Sequence, residues 1–449
     1  MTDTNLILRS VTVEGYKGFE KPATIYLSPL TLVFGENSAG KSSIMRLLVS
    51  IAKAILEQSE YPLIPVSVDN EDYGFDSLLT NGASSLLKIS LSLDDLLSET
   101  PTLQVSYSIR YLRESNRALI TDIDFQRNTG EKWSLHLITD SISKQPYLRD
   151  APYRYSSKNE DIGSALETVI RFEGLLPVTR SLNKSNFLHI NNGLNEIAKT
   201  LKAFAESVIW IGPLRRVPPR HIPLTCHPTR FSPDGREVPQ LLHASNQFGE
   251  QITTKTSEFY EDSTGRQLTI QPSVLNGKEV FTVLLAPIEH PTLVIPIADH
   301  GAGMAQVLPV ATLCAWAACQ PGLIKSPILL FENPELHLHD AVHEPLANLF
   351  LDTISKRPGT RIVAETHSEN LLLTVQLQVI KSKNNSLSKD VGVNWILKDT
   401  DGRSKIDLFQ FDEAGSLGGL WSKSIFGYTS DLAKRILSAR LKTTSVKEE

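Results

Sequence analysis

Apolar positions follow two periods along this chain, and the changes of period divide it. Residues 6–36 carry strand-like runs, "LILRSVTVEGY", "ATIYL" and "LTLVF"; the last is apolar without interruption, the habit of a strand buried on both faces. Just downstream, Ile44, Leu47, Leu48, Ile51 and Ile55 fall at i, i+3, i+4, i+7 spacing and predict an amphipathic helix. From about 56 to 150, turn-rich polar stretches separate alternating runs. "TLQVSYSIRYL" places Leu103, Val105, Tyr107, Ile109 and Tyr111 on one face, and "WSLHLI" repeats the habit at Trp133, Leu135 and Leu137. After the polar stretch "YRYSSKNEDIG", the pattern predicts a helical segment over roughly 163–207.

"VIWIGPLRRVPPR" (208–220) predicts a buried strand running into a Pro/Arg-rich loop. "QLTIQPSVLNGKEVFTVLLAP" predicts a hairpin turning at Asn276-Gly277. Residues 293–380 read as an α/β block. The short apolar runs "ILLF" (328–331) and "RIVAE" (361–365) flank a helical pattern through Leu346, Leu349, Phe350 and Ile354, with Pro345 in its first turn. That order predicts a βαβ unit with parallel strands. "KDTDG" (398–402) predicts a hairpin turn, and "RLKTTSVKEE" a frayed end.

Composition narrows the class. The chain has 449 residues, 41% hydrophobic and 21% charged, which suits a globular protein of two or three domains. A net charge of −5 gives no overall basic footprint, so nucleic-acid binding would require a local patch. Three cysteines (Cys226, Cys314 and Cys319) make no disulfide framework and point to a reducing compartment. The opening "MTDTNLILRS" lacks the apolar core of a secretory signal. The longest apolar stretch, "VLPVATLCAWAACQPGLI" (307–324), contains Pro309, Gln320 and Pro321-Gly322 and predicts a core helix rather than a membrane span. A cytoplasmic protein without membrane contact is expected. No sustained heptads predict coiled-coil arms.

The chemistry concentrates in three stretches. "FGENSAGKSS" (34–43) fits G-x-x-x-x-G-K-[ST], with Gly35, Gly40, Lys41 and Ser42 in register. Between a buried strand and a helix N-terminus, such a loop (Gly35, Glu36, Asn37, Ser38, Ala39, Gly40, Lys41, Ser42, Ser43) turns successive N–H groups toward a triphosphate. Its lysine reaches the same oxygens, and its serine hydroxyl binds Mg²⁺. The Mg²⁺ also needs a carboxylate at the end of a neighbouring strand, and Glu332, directly after "ILLF", is the expected partner of Ser42. The next position is Asn333, whose amide cannot take a proton from water near neutral pH. Glu335 lies two residues on, its reach set by the turn at Pro334. "ETHS" (365–368) ends the next strand and offers His367 to a γ-phosphate. A rival reading takes His337, His339, Asp340 and His343 as a zinc cluster, although "HLHDAVH" places its Asp one position early for the familiar H-x-H-x-D-H pattern.

Together these segments resemble an ABC-type ATPase head of the SMC/RecF/OLD-like group. They are more similar still to the stand-alone prokaryotic AAA-type ATPases of anti-phage defence loci, such as the ATPase subunit of PARIS-like systems. The match runs through the Walker A loop (Gly35–Ser43), the Walker B segment "ILLFENPELHLH" and the switch histidine His367. "DHGAGMAQVLP" (299–309) resembles the family's signature loop D-x-G-x-G-x-S-Q-x-L-P. "IGPLRRVPPR" (211–220) and "FDEAGSLGGLWSKSIF" (411–426) resemble further family segments.

The resemblance implies an α/β fold with a β-rich and helical insertion between the Walker A and Walker B halves. The corresponding domains are 1–55, an insertion over 56–207, 208–390, and closing strands and a helix over 391–449. It implies ATP and Mg²⁺ as cofactors and head-to-tail dimers or higher oligomers. In these, Gly301, Gly303 and Gln306 cap the nucleotide on the partner's Walker A loop, and Lys17 in "GYKGF" also reaches a phosphate. Departures from the pattern are Ala305, where the family has serine, and Asn333, near the family's own glutamine. Both weaken hydrolysis more than binding, so a slow ATPase switch acting on an effector encoded nearby is expected. Two alternatives stay open. One is a RecF-like DNA-binding ATPase using Arg215, Arg216 and Arg220. The other is an OLD-like nuclease component, for which 391–449 is short.

Overall fold

The computed structural model describes residues 6–67, 74–80, 85–95, 103–138, 153–157, 166–179, 188–225, 228–248, 251–319, 326–382, 386–412 and 415–417. Readings that fall on Cys226, on Gln320 to Gly322, or on the chain beyond Leu417 lie outside these residues.

Among the described residues, three sheets form. The first holds β1 (Leu6–Glu14) and β2 (Ala23–Tyr26) at one edge and continues through β4 (Leu86–Asp95), β5 (Leu103–Leu112), β6 (Arg117–Arg127), β7 (Lys132–Leu137), β8 (Tyr153–Ser157), β9 (Leu166–Glu173) and β10 (Leu176–Thr179). Every pairing in it is antiparallel, and β4 runs directly beside β1. The alternation of β5 survives in three dimensions: Leu103, Val105, Tyr107, Ile109 and Tyr111 are all buried. The helix expected over 163–207 forms only as α2 (Leu188–Ser207). The preceding residues are the β9–β10 hairpin, turning at Gly174 in the left-handed region (φ 63°). β-branched Val169 and Ile170 favour a strand, and pairing with β8 overrides any helical spacing.

The second sheet positions the site. Its order is β11 (Val208–Ile211), β16 (Ile328–Glu332), β17 (Arg361–Glu365), β3 (Leu30–Gly35), β18 (Val391–Lys398), β19 (Ser404–Gln410). All pairings are parallel except the β18–β19 hairpin, whose turn holds Asp399 to Gly402. β16 and β17 are the predicted parallel pair, joined by α6 (His343–Lys356). β3 lies between β17 and β18, and α1 (Lys41–Leu56) follows it.

Strand alternation sends Val33, Ile328, Leu330 and Val363 to an apolar cluster shared with α1 and the first sheet. Leu32, Leu329, Phe331, Ile362 and Ala364 go to the opposite face. There they meet α3 (Val238–Phe248), α4 (Ile252–Thr264), α5 (Ala302–Cys319), α6 and α7 (Glu369–Lys381). The third sheet carries the predicted hairpin of β13 (Arg266–Leu275) and β14 (Lys278–Pro287), flanked by β12 (Ile222–Pro223) and β15 (Ile295–Pro296). α5 has the length and composition of a membrane span, but 72% of its apolar window is buried inside the protein, as a core helix requires.

Candidate nucleotide site

Parallel α/β sheets gather ligands at the carboxyl ends of their strands, where the chain leaves β3 on one side and β17 on the other. Here those ends carry the phosphate-binding loop, Glu332, Asn333, Glu365 and His367. Glu332 and Glu365 are direct register partners on adjacent strands. Each sits two residues beyond a side chain that faces α1 (Leu330 and Val363), so period-two alternation turns both carboxylates toward that helix.

α1 answers with two side chains one turn apart. Ser42 Oγ donates to Glu365 Oε1 at 2.9 Å. Four residues on, Arg46 donates through Nε and Nη2 to the two oxygens of Glu332, at 2.9 and 2.8 Å. Trp210 Nε1, at the end of β11, adds a third bond to Glu332 Oε1 at 3.0 Å. The expected pairing of Ser42 with Glu332 is therefore not the one the chain makes: Glu332 is filled by Arg46 and Trp210, and Glu365 meets the serine.

Glu365 is 3% exposed, and its Oε2 has no hydrogen-bond partner. Burial and the facing Glu332 carboxylate push its carboxyl up to about 7, against the opposing pull of the Ser42 bond, Lys41 and Arg46. Two like charges side by side in a desolvated site repel, and a bound cation relieves both costs.

The loop itself has the expected backbone. Ser38 is left-handed (φ 60°), and Gly40 opens α1. Glu36, Asn37 and Ser38 are exposed, and Ala39 is buried. The Lys41 ammonium, 5% exposed, is held by the carbonyls of Gly35 and Glu36 at 3.0 and 2.8 Å. Burial lowers its pKa, with Glu365 opposing. Gly35 is required for a reason the sequence did not suggest: a Cβ there would stand 2.0 Å from the Ile396 carbonyl on β18. Lys17, itself left-handed, has its pKa lowered by burial and by Arg46, with Glu332 opposing.

The turn after β16 is shaped by Asn333 in the left-handed region (φ 47°), its N–H donating to the Glu365 carbonyl at 2.8 Å. That turn carries Glu335 back to the next strand end. Its Oε1 accepts the His367 N–H at 2.8 Å, while its Oε2 is buried without a partner. His367 reaches solvent, and partial desolvation among the strand ends together with Lys41 lowers its pKa, with Glu335 opposing. Lys41, Ser42, Glu332, Glu335, Glu365 and His367 thus converge from three parts of the sequence. Sequence reasoning passed over Glu365 and Arg46. The signals were present, a carboxylate directly before "THS" and an arginine one helical turn after Ser42, but strand order was needed to use them.

The signature-like loop is organised by Arg215. This guanidinium, 5% exposed, donates through Nη2 to the carbonyls of Glu332 and Asn333 at 2.6 and 3.0 Å. The Gln306 side chain clamps the Arg215 backbone from both sides, accepting its N–H at 3.1 Å and donating to its carbonyl at 2.6 Å. The Gln306 amide is therefore spent within its own chain. Gly303 packs against the turn after β16, where a Cβ would meet the His337 carbonyl at 2.4 Å, whereas Gly301 is exposed with open space around it. Arg220 pairs with Asp299 at the start of the same loop.

Arg215, buried on carbonyls, does not reach a nucleic-acid backbone. The residues of the rival zinc reading do not converge: His343 is buried and bonded to Ser368 Oγ at 2.7 Å, while His339 accepts the Ala341 N–H. Among the described residues, no group of three or more His, Cys, Asp or Glu side chains is placed to hold a metal ion. Asp399 caps its own hairpin turn through the N–H groups of Asp401 and Arg403.

The AAA ATPase domain family matches residues 7–151. No curated protein matches the sequence. Solved structures with a similar course of the chain include an SMC head bound to the C-winged helix domain of ScpA, at 12% identity and TM-score 0.48, covering 91% of this chain and 99% of that one. Another is the SMC head domain from Thermotoga maritima, at 13% identity and TM-score 0.40, covering 89% and 98%. A third is the Smc head domain with an extended coiled coil, bound to the C-terminal domain of ScpA derived from Pyrococcus furiosus, at 13% identity and TM-score 0.43, covering 91% and 98%. Likeness this loose carries no residue roles over to this chain.

Proposed function

We propose that the chain binds Mg·ATP at the loop Gly35–Ser43 and hydrolyses it slowly, with the nucleotide acting mainly as a latch between two copies. The observation that carries this reading is the convergence of Lys41, Ser42, Glu335, Glu365 and His367 at the carboxyl ends of β3, β16 and β17. Lys41 offsets triphosphate charge, Ser42 with a strand-end carboxylate holds Mg²⁺, and His367 sits where it senses the γ-phosphate. Slow turnover follows from Asn333, which cannot act as general base. Ala305, 1% exposed in the core within α5, does not face a partner's nucleotide, so the missing hydroxyl there bears on packing rather than on turnover.

The exposed Gly301, at the start of α5, is the free N-terminal backbone of the signature-like loop and suits capping of a γ-phosphate on a second copy. In this reading Gln306 and Arg215 set the loop's position without touching nucleotide. Closure of the dimer then reports nucleotide state to an effector encoded nearby, in prokaryotic anti-phage defence and in the cytoplasm. The experiment is calorimetric binding of ATP with Mg²⁺ to the wild-type chain and to Lys41→Ala. Micromolar binding lost in the variant supports the site, and equal affinity in both refutes it.

A further inference from the structure

We infer that the carboxylate which holds Mg²⁺ beside Ser42 is Glu365, at the end of β17, and that Glu332 serves instead as the anchor for Arg46 and Trp210. This rests on the Mg·ATP reading and names the metal partner within it. Three observations carry it. First, both oxygens of Glu332 are taken: Arg46 grips them bidentately, and Trp210 Nε1 shares Oε1. A carboxylate with its lone pairs directed at a guanidinium and an indole has little left for a cation.

Second, Glu365 Oε1 already lies 2.9 Å from Ser42 Oγ, the hydroxyl that the loop pattern assigns to Mg²⁺. Third, Glu365 Oε2 is buried without any partner in a side chain only 3% exposed. An unpartnered buried carboxylate oxygen is costly, and a hard cation that prefers oxygen ligands removes the cost. Mg²⁺ takes one or two protein oxygens and completes its shell with phosphates and water, so Ser42 and Glu365 make a sufficient protein set.

Arg46 fixes the division of labour. Being one turn beyond Ser42 on the same helix face, it neutralises the neighbouring carboxylate and leaves Glu365 as the available negative oxygen on that face.

The test measures metal separately from turnover, on the full chain. A fluorescent ATP analogue is titrated in EDTA and in Mg²⁺. In parallel, Mn²⁺ is titrated in the presence of AMP-PNP, and the free ion is read by electron paramagnetic resonance. In the wild type, metal strengthens nucleotide binding. Glu365→Gln is expected to bind nucleotide in EDTA at least as well, because a negative charge near the triphosphate is gone. It is expected to lose the metal gain and to weaken Mn²⁺ by about tenfold or more. Glu332→Gln is expected to keep the metal gain while lowering the thermal midpoint. Glu365→Asp, which withdraws the carboxylate by one methylene, serves if the glutamine variant does not fold, and it too loses part of the gain. The inference is overturned if Glu365 variants keep the gain and Glu332→Gln loses it, while nucleotide binding itself stands. Absence of nucleotide binding by the wild type in either buffer overturns the Mg·ATP reading and this inference together.

Discussion

Ser42 and Glu365, 323 positions apart in sequence, are joined by a 2.9 Å hydrogen bond that ties the first turn of α1 to the end of β17. One turn further along α1, Arg46 grips Glu332 on the adjacent strand. Two carboxylates in register on neighbouring strands thus meet two side chains in register on one helix, and the pairs have different energetics.

The Arg46–Glu332 pair is an anchor. Glu332 is 1% exposed and Arg46 21% exposed at the side chain, so removing one partner strands a desolvated charge. Glu332→Ala is expected to destabilise the fold by about 3 kcal/mol, and Arg46→Met with Glu332→Met together to cost less than the sum of the single changes. Urea unfolding of the wild type, Glu332→Ala, the two single Met variants and the double variant checks this. Additive losses would show that the pair is not coupled.

Arg215 is expected to behave as a positioning residue. Arg215→Met removes the Nη2 donor of the Glu332 carbonyl, at a cost of about 1–3 kcal/mol for a group left unpaired, while the Asn333 carbonyl keeps the Leu336 N–H. Gln306→Leu unpairs the Arg215 N–H and carbonyl in the same way. Both variants should lower the thermal midpoint and weaken ATP-dependent association more than they weaken ATP binding by the single chain. Loss of ATP binding with unchanged stability would place Arg215 in contact with nucleotide instead.

Glu335 is the remaining carboxylate with a free, buried oxygen at the strand ends. Glu335→Gln should reduce whatever hydrolysis the chain shows by about 10²-fold or more, with nucleotide affinity little changed. Asn333→Glu should raise turnover, provided glutamate accepts the left-handed backbone that asparagine tolerates there. Single-turnover hydrolysis of labelled ATP reads both effects. An undiminished rate in Glu335→Gln assigns the proton transfer elsewhere.

The elements of the site were legible because each has a local signature. The buried run "LTLVF", the glycine-rich loop, the helical spacing after it and the apolar runs before Glu332 and Glu365 all form as the patterns predict. What the patterns omit is strand order. Nothing local in "RIVAE" says that β17 lies between β16 and β3, and only that neighbourhood brings Glu365 to Ser42 and leaves Glu332 to Arg46. The loop pattern sets Gly35 among the residues that face a triphosphate, whereas its tightest neighbour is a carbonyl of β18, some 360 residues later, a contact no local window contains. The β9–β10 hairpin was hidden for the same reason. Its short strands carry mixed spacing, and partner strands supply most of their stabilisation.

The central claim, that ATP latches two copies together and is turned over slowly, is tested most directly by measuring mass and hydrolysis on the same sample. Light scattering or mass photometry of the full chain with Mg·ATP is expected to show a shift to dimer or higher assemblies. Mg·ADP and Lys41→Ala are expected not to shift it, and steady-state turnover should stay well below ~10 s⁻¹, an ordinary enzyme rate. A chain that hydrolyses ATP at or above that rate and has the same mass with and without nucleotide would contradict the account.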